Sequence, residues 1–560
     1  MRKLHRLVVA AVAAVAAIGA LAPGAATAAS AETGTAAVGC ATTVFPAGGV
    51  MARAAVSRGC RSASGRAVAD ASEAAFAVPG AIRPDTNTTI TIVSTKNPAT
   101  PFVTGATVTA TGPQGNATIN VTAVTADRVT ATIGTPSVEE FLTVTVTNHP
   151  SGFTYGAMID VRNASGEFHP QTPTRVFDSR FNDATRVGPA GRLAAERIVE
   201  APVAGISGLP ATGIAAVAVN VTAVDPAADG FLTAWPSQTA KPDASSINYA
   251  RSHTVANLVT VGLSPDGGLD LAASTDTDVI LDVVGWYAAA PASLPDTSTV
   301  ASSYIPISPE RRTDTRFPMS NPINKSTFLV DGPLHAGETR TLSLDSDPHD
   351  EFAPVDAVAL NVTVSGSTAP GFLTIWPADE PRLNASNVNF GTGDTIPNMV
   401  IVRISDLHQL NFYNSAGNTD VIVDLVGLYA TPFFQGLVFE SITPTRIIDS
   451  RLGHGLPARP LGANETAAVS LAGLTSPIPP EALAVTMNAV IADSSTPTGF
   501  VTIYPADETQ PNVSNLNLQL GRAAANEVMT PLSFDGANAI KIFNANGPAN
   551  LIADVTGFFS

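Results

Sequence analysis

The chain has 560 residues, of which 45 % are apolar and only 14 % charged, so it is too long for a single core and divides into several domains. Its net charge is −17, about −20 once the three basic residues of the leader are set aside, which argues against nucleic acid and anionic membrane as partners. Short runs of Val, Thr, Ile and Phe alternate with clusters drawn from 44 Gly, 43 Pro and the Asn and Asp residues, the composition of many short strands rather than long helices.

Residues 1–28 combine a basic start (Arg2, Lys3, Arg6), an apolar run from Leu7 to Ala22 and an Ala26-Thr27-Ala28 cleavage site, the pattern of a secretory signal peptide. No later stretch is a candidate span, so the expectation is no membrane span after signal cleavage. The two cysteines, Cys40 and Cys60, lie in an Ala/Gly-rich region at 29–77, where an exported protein is expected to pair them as a disulfide. A short helix is expected over Ala67 to Ala77. From 78 to 165 the pattern changes. Thr89–Ile92, Ala106–Thr111, Ala117–Thr122, Arg128–Ile133, Leu142–Thr147 and Ala157–Val161 predict half-buried strands in the rhythm of an Ig-like sandwich.

The remaining chain repeats. Pro173-Thr174-Arg175-Val176-Phe177-Asp178-Ser179-Arg180 returns as Pro444-Thr445-Arg446-Ile447-Ile448-Asp449-Ser450-Arg451, with a degenerate copy at Pro309–Arg316 that keeps Arg311, Asp314 and Arg316. Each copy opens a module, at 166–290, 301–431 and 436–560. Later landmarks keep their order: Gly230–Pro236, Gly371–Pro377 and Gly499–Pro505; Asn257, Asn398 and Asn526; and the closing Leu281-Asp282-Val283-Val284-Gly285, Val423-Asp424-Leu425-Val426-Gly427 and Ala553-Asp554-Val555-Thr556-Gly557. About eight strands per module predict an all-β, multi-domain protein: an Ig-like sandwich followed by three homologous β-sandwich or jelly-roll modules. A β-propeller-like arrangement is the alternative, weakened by the lack of a period within the modules.

The stretch 78–165 resembles bacterial Ig-like domains of the IPT/TIG kind, through Pro79-Gly80, Thr107-Val108-Thr109 and Val144–Asn148 running into Ser151-Gly152. The three modules resemble a repeat of secreted actinobacterial proteins with a P-x-R-[VI]-x-D-[ST]-R start, a G-F-[LV]-T-x-[WY]-P centre and a D-V-V-G-x-[YF] end. That resemblance implies an extracellular or cell-wall setting and no particular reaction.

The recurring charges suggest a structural clasp. Asp282, Asp424 and Asp554 sit inside apolar runs, where a carboxylate needs a partner. The in-register arginines are Arg175, Arg311 and Arg446, with Arg180, Arg316 and Arg451 assigned to Asp178, Asp314 and Asp449. The expectation is that the first and last strands of a module lie side by side, with Arg175 serving Asp282. The competing reading is a paired-carboxylate active site made of Asp178 and Asp282. Trp235, Trp376 and Tyr504 are the glycan-binding candidates, weighed against core aromatics. The asparagines are read as satisfying backbone groups, against a hydrogen-bonding ligand site. No catalytic, metal or cofactor motif stands out. Mature-chain histidines do not recur in register: His253 falls opposite Asp394 and Arg522. The acidic cluster Asp345, Asp347, Asp350 and Glu351 lacks calcium-loop spacing.

These features point to a secreted, non-enzymatic scaffold or adhesion protein at the cell surface. A protein binding polysaccharide or cell wall through repeated weak sites is the second reading, and a divergent hydrolase the third. Cell-wall polysaccharide or other surface proteins are the expected partners.

Overall fold

The computed structural model describes, in the repeat region, residues 166–180, 191–289, 302–328, 331–344, 355–405, 407–430, 436–471 and 478–560, and before these only strand segments and short flanks between 43 and 161. The leader, Cys40, Cys60 and the acidic cluster at 345–351 lie outside the described residues. The described residues are all-β, and none forms a helix long and apolar enough to cross a membrane. The chain divides into two compact units, one running to Asn163 and one formed by the modules.

In the first unit the alternating Thr segments form antiparallel strands, including Asn87–Ser94, Thr107–Gly112, Gly115–Val124, Arg128–Gly134 and Glu140–Thr147. Val129, Ala131, Ile133, Val144 and Val146 are buried and the residues between them less so, the consequence of a period-2 pattern with one covered face. The helix expected over Ala67 to Ala77 does not form where the structure is described. Ala74–Val78 is a strand paired with Asn87–Ser94, placing Phe76 opposite Val93. Ladder hydrogen bonds to an existing β neighbour override the helix propensity of the alanines, as tertiary context commonly does.

In the second unit each module is a sandwich of two antiparallel sheets. The inner sheet orders an opening strand (Phe168–Asp178, Ser303–Asp314, Phe439–Asp449), a closing strand (Asp278–Ala288, Asp420–Ala430, Ala549–Phe559), a central strand (Ile214–Val224, Val355–Ser365, Ala484–Ser494) and an asparagine strand (Val255–Gly262, Thr395–Arg403, Ala524–Pro531). The outer sheet carries the strand of the G-F-L-T-x-W-P motif and has four strands, or five in the second module. Because side chains alternate, one face of the inner sheet packs on its own outer sheet, with Val217, Val219 and Val221 in the first module's core. The opposite face carries Ala216 and Ala218, which join Ala357, Ala359, Ala484 and bulkier residues of all three modules in one shared cluster.

That cluster closes the modules into a ring. Each opening strand contributes one aromatic and each closing strand another. Within a module their centroids lie 4.9 Å apart (Phe168–Tyr287), 5.2 Å (Tyr304–Tyr429) and 5.1 Å (Phe439–Phe559). Between modules, Phe168–Tyr429, Tyr304–Phe559 and Phe439–Tyr287 are each 4.3 Å apart. Each module therefore touches both others through equivalent contacts, a threefold pseudo-symmetry within one chain. The glycine of the closing motif is explained here. A Cβ on Gly285 would lie 2.0 Å from the Phe168 ring, and one on Gly427 or Gly557 would lie 2.3 Å from Tyr304 or 2.2 Å from Phe439.

Candidate functional site

The opening strand pairs with the closing strand so that Arg175 faces Asp282, Arg311 faces Asp424 and Arg446 faces Asp554. Arg175 donates from Nε to Asp282 Oδ1 at 2.9 Å and from Nη2 to Oδ2 at 3.0 Å, a bidentate pair. Arg446 holds Asp554 in the same way at 2.8 and 3.1 Å, and Arg311 holds Asp424 through the same two nitrogens. Arg180, Arg316 and Arg451 grip Asp178, Asp314 and Asp449 with Nε and Nη2. Arg175 also reaches Asp178 at 3.2 Å. In a regular strand these two side chains would point to opposite faces, but the register jumps at Val176, and the bulge turns both into one network.

The clasp also ties modules together. Asp554 Oδ2 accepts the Ser245 backbone N–H of the first module at 3.3 Å. Burial opposes ionisation of Asp178, yet Arg180 and Arg175 hold it below its ordinary range; Arg451 does the same for Asp449. Burial outweighs the arginine at Asp424 and Asp554, pushing the first up to about 6 and raising the second. With every carboxylate oxygen turned to an arginine, the pair Asp178 and Asp282 has the bonding of a structural joint and not of a carboxylate pair open to substrate.

The asparagines complete a second belt. Asn257, Asn398 and Asn526 each donate to a backbone carbonyl of their own module at 2.7, 2.6 and 2.7 Å. They also donate to the central-strand asparagine of a neighbouring module: Asn257 to Asn488, Asn398 to Asn220 and Asn526 to Asn361. Their carbonyl oxygens accept the backbone N–H of Glu527, Leu258 and Met399 from another module. Asn220, Asn361 and Asn488 donate onward to Ser386, Ser514 and Ser245. The backbone acceptors anticipated for these amides exist, but many belong to the next module.

Trp235, Trp376 and Tyr504 are 1, 3 and 3 % exposed, so the proposed sugar platform is corrected: these rings offer no face to a ligand. The Trp235 and Trp376 indoles donate to Thr239 and Glu380 carbonyls in the turn after each strand, which folds back over the ring. The solvent-side aromatics are others. Phe372 is 37 % exposed, its centroid 6.3 Å from Tyr413, and Arg382 stacks 3.9 Å from the Tyr413 ring. Phe500 and Phe543 form the equivalent pair at 6.1 Å, while the corresponding first-module position is Ala272. Alternation along the G-F-L-T strand is the signal that finds Phe372 and Phe500.

One depression lies where the three asparagine strands begin, lined by residues drawn from the stretches 247–250, 253–256, 394–397 and 519–525, with His253, Asp394 and Arg522 among them. Among the described residues no group of three or more His, Cys, Asp or Glu is placed to hold a metal ion. No family model and no curated protein matches this chain.

Proposed function

We infer that the three modules form a rigid, non-catalytic head of a secreted protein working as scaffold or adhesin at the cell surface. The observation that carries this reading is the closed belt of asparagines and Arg–Asp pairs. The recurring polar residues, which in an enzyme or lectin would face a ligand, spend their bonding capacity on one another and, for the asparagines, on neighbouring modules. The leader-like N-terminus and the resemblance to secreted actinobacterial repeats support the extracellular setting. Cell fractionation with immunodetection tests it: the full chain is expected in the medium or on the surface. Turnover of a wall polymer that disappears on Asp282→Asn while the fold persists would overturn it.

Polysaccharide binding is the second reading, favoured by the outward pairs Phe372–Tyr413 and Phe500–Phe543. Two weak platforms on one rigid body gain avidity on a repeating polymer. Retention on isolated cell walls that falls on joint Phe372→Ala and Phe500→Ala substitution, with folding unchanged, supports it. Unaltered retention refutes it.

A further inference from the structure

The three positions His253, Asp394 and Arg522, which break the repeat in sequence, meet at one place in the fold. They rim the depression at one end of the pseudo-threefold axis, one from each module. Beneath them Val255, Ile396 and Ala524 line an apolar wall above the asparagine belt, whose amides are already engaged. The volume is about 60 Å³, room for about five water-sized bodies, which excludes a polymer and admits a ligand of a few non-hydrogen atoms.

Arg522 makes no ion pair with any described residue. Asp394 uses Oδ2 to accept the Gly391 N–H at 2.6 Å, which fixes its orientation. His253 supplies a ring that donates or accepts according to its tautomer. A cation, a carboxylate and an imidazole around a small apolar well are complementary to a molecule with opposite charges on a small apolar body. A guanidinium pairs with a carboxylate in bidentate fashion, and a carboxylate accepts from an ammonium. We propose that this axial depression binds a small zwitterionic α-amino acid of glycine to serine size, its carboxylate on Arg522 and its ammonium on Asp394. The site exists only when the three modules are closed, because each charge comes from a different one.

The test uses the full secreted chain, labelled at alanine methyls so that Ala256, Ala524 and Ala525 report from the wall, titrated with alanine, N-acetylalanine and alaninamide. Saturable shifts with alanine are expected, and blocking either charge is expected to weaken binding about 10- to 100-fold, the range for losing a hydrogen bond to a charged group. Arg522→Gln is expected to abolish the difference between alanine and alaninamide. Asp394→Asn, which keeps the acceptor for Gly391, is expected to narrow the difference between alanine and N-acetylalanine to what the bulk of the acetyl group costs. Unchanged thermal melts of both variants separate loss of binding from loss of fold. Absence of saturable shifts at tens of millimolar alanine, N-acetylalanine binding as tightly as alanine, or wild-type selectivity in Arg522→Gln would each overturn the assignment.

Discussion

A buried carboxylate lies in the shared core, and its removal gives a sharp test of how the ring is specified. The residue after the belt asparagine is Leu258, Met399 or Glu527, and two further on stands Thr260, Ile401 or Met529. On the central strand the position facing Thr260, Ile401 or Met529 is Ala218, Ala359 or Thr486. Glu527 is 2 % exposed, and its Oε1 accepts from the Thr486 hydroxyl at 2.5 Å. Thr260, fully buried in the first module, is the other group that favours its charged form; neither its hydroxyl nor Glu527 Oε2 meets full hydrogen-bond geometry. The three polar residues replace apolar counterparts together, and they couple the third module to the first.

Glu527→Met alone strands the buried Thr486 hydroxyl, which costs about 1–3 kcal/mol when unsatisfied, offset by release of the buried acid. Glu527→Met with Thr260→Ile and Thr486→Ala instead writes residues of the other modules into the same positions at similar total volume. The triple variant is expected to be about 1–4 kcal/mol more stable than the wild type, as when a buried ionic cluster yields to packed hydrophobes. The single changes are expected not to sum to it, with couplings of about 0.5–3 kcal/mol. Urea titrations of all variants measure this. Burial raises the Glu527 pKa. Its contribution is therefore full below the ordinary glutamate range and lost as pH rises through the raised value, a slope the triple variant should lack. A triple variant less stable than wild type, or singles that add without coupling, would refute the reasoning.

Arg175→Ala leaves Asp282 buried without its bidentate partner and should cost about 3–5 kcal/mol by chemical denaturation, with Arg175→Met plus Asp282→Leu recovering most of the loss. Trp235→Ala and Trp376→Ala should each destabilise by about 3–5 kcal/mol, read by circular dichroism melts, with carbohydrate retention unchanged in whatever remains folded. Burial pushes Asp356 up to about 7 and Asp424 to about 6, against Ser302 and Arg311 respectively. Raised folded-state values mean that these two contributions are full below the ordinary aspartate range and lost as pH rises through 6 to 7. The melting temperature should therefore be higher near pH 5 than at pH 8, while Asp178 and Asp449, held low by arginine, withdraw their contribution only at stronger acid.

What the sequence reveals follows from what recurs locally. The octapeptide and the closing Asp-x-x-Gly are legible because each module must build the same joint between its first and last strands. The bulge at Val176 is not, since strict alternation sends Arg175 away from Asp178 and only the paired strand reveals the inserted residue. The burial of Trp235 and Trp376 is missed for a related reason. They lie on the side of the outer sheet opposite Leu232 and Leu373, and a covering turn, not strand periodicity, decides whether that side is wet. The asparagine belt shows its existence by spacing but hides its hydrogen-bond partners, which lie up to 270 residues away. Once the asparagines are set in register, Glu527 and the trio His253, Asp394 and Arg522 become visible as departures from an otherwise shared pattern.

Those departures explain why three such modules share one chain. A position on a threefold axis in a homotrimer meets two copies of itself. Three Glu527 side chains would place like carboxylates together in the apolar core, and mutual repulsion adds to desolvation. In the single chain the same Glu527 meets Thr260 and Thr486. Inside the core the second module has no such conflict: it carries Met399, Ile401 and Ala359 there, Tyr304 and Tyr429 complete the aromatic contacts, and its three copies of Asp394 would meet only at the part-exposed rim of the axial depression. Residues 301–431 expressed alone should therefore assemble as trimers, burying the face that Ala357 and Ala359 present to the other modules. Residues 436–560 should fail to do so at neutral pH and gain trimers on Glu527→Met. Sedimentation velocity on the two fragments and the Glu527→Met variant decides it: a second module that stays monomeric, or a third that trimerises unaltered at neutral pH, would show that the axial residues do not govern closure of the ring.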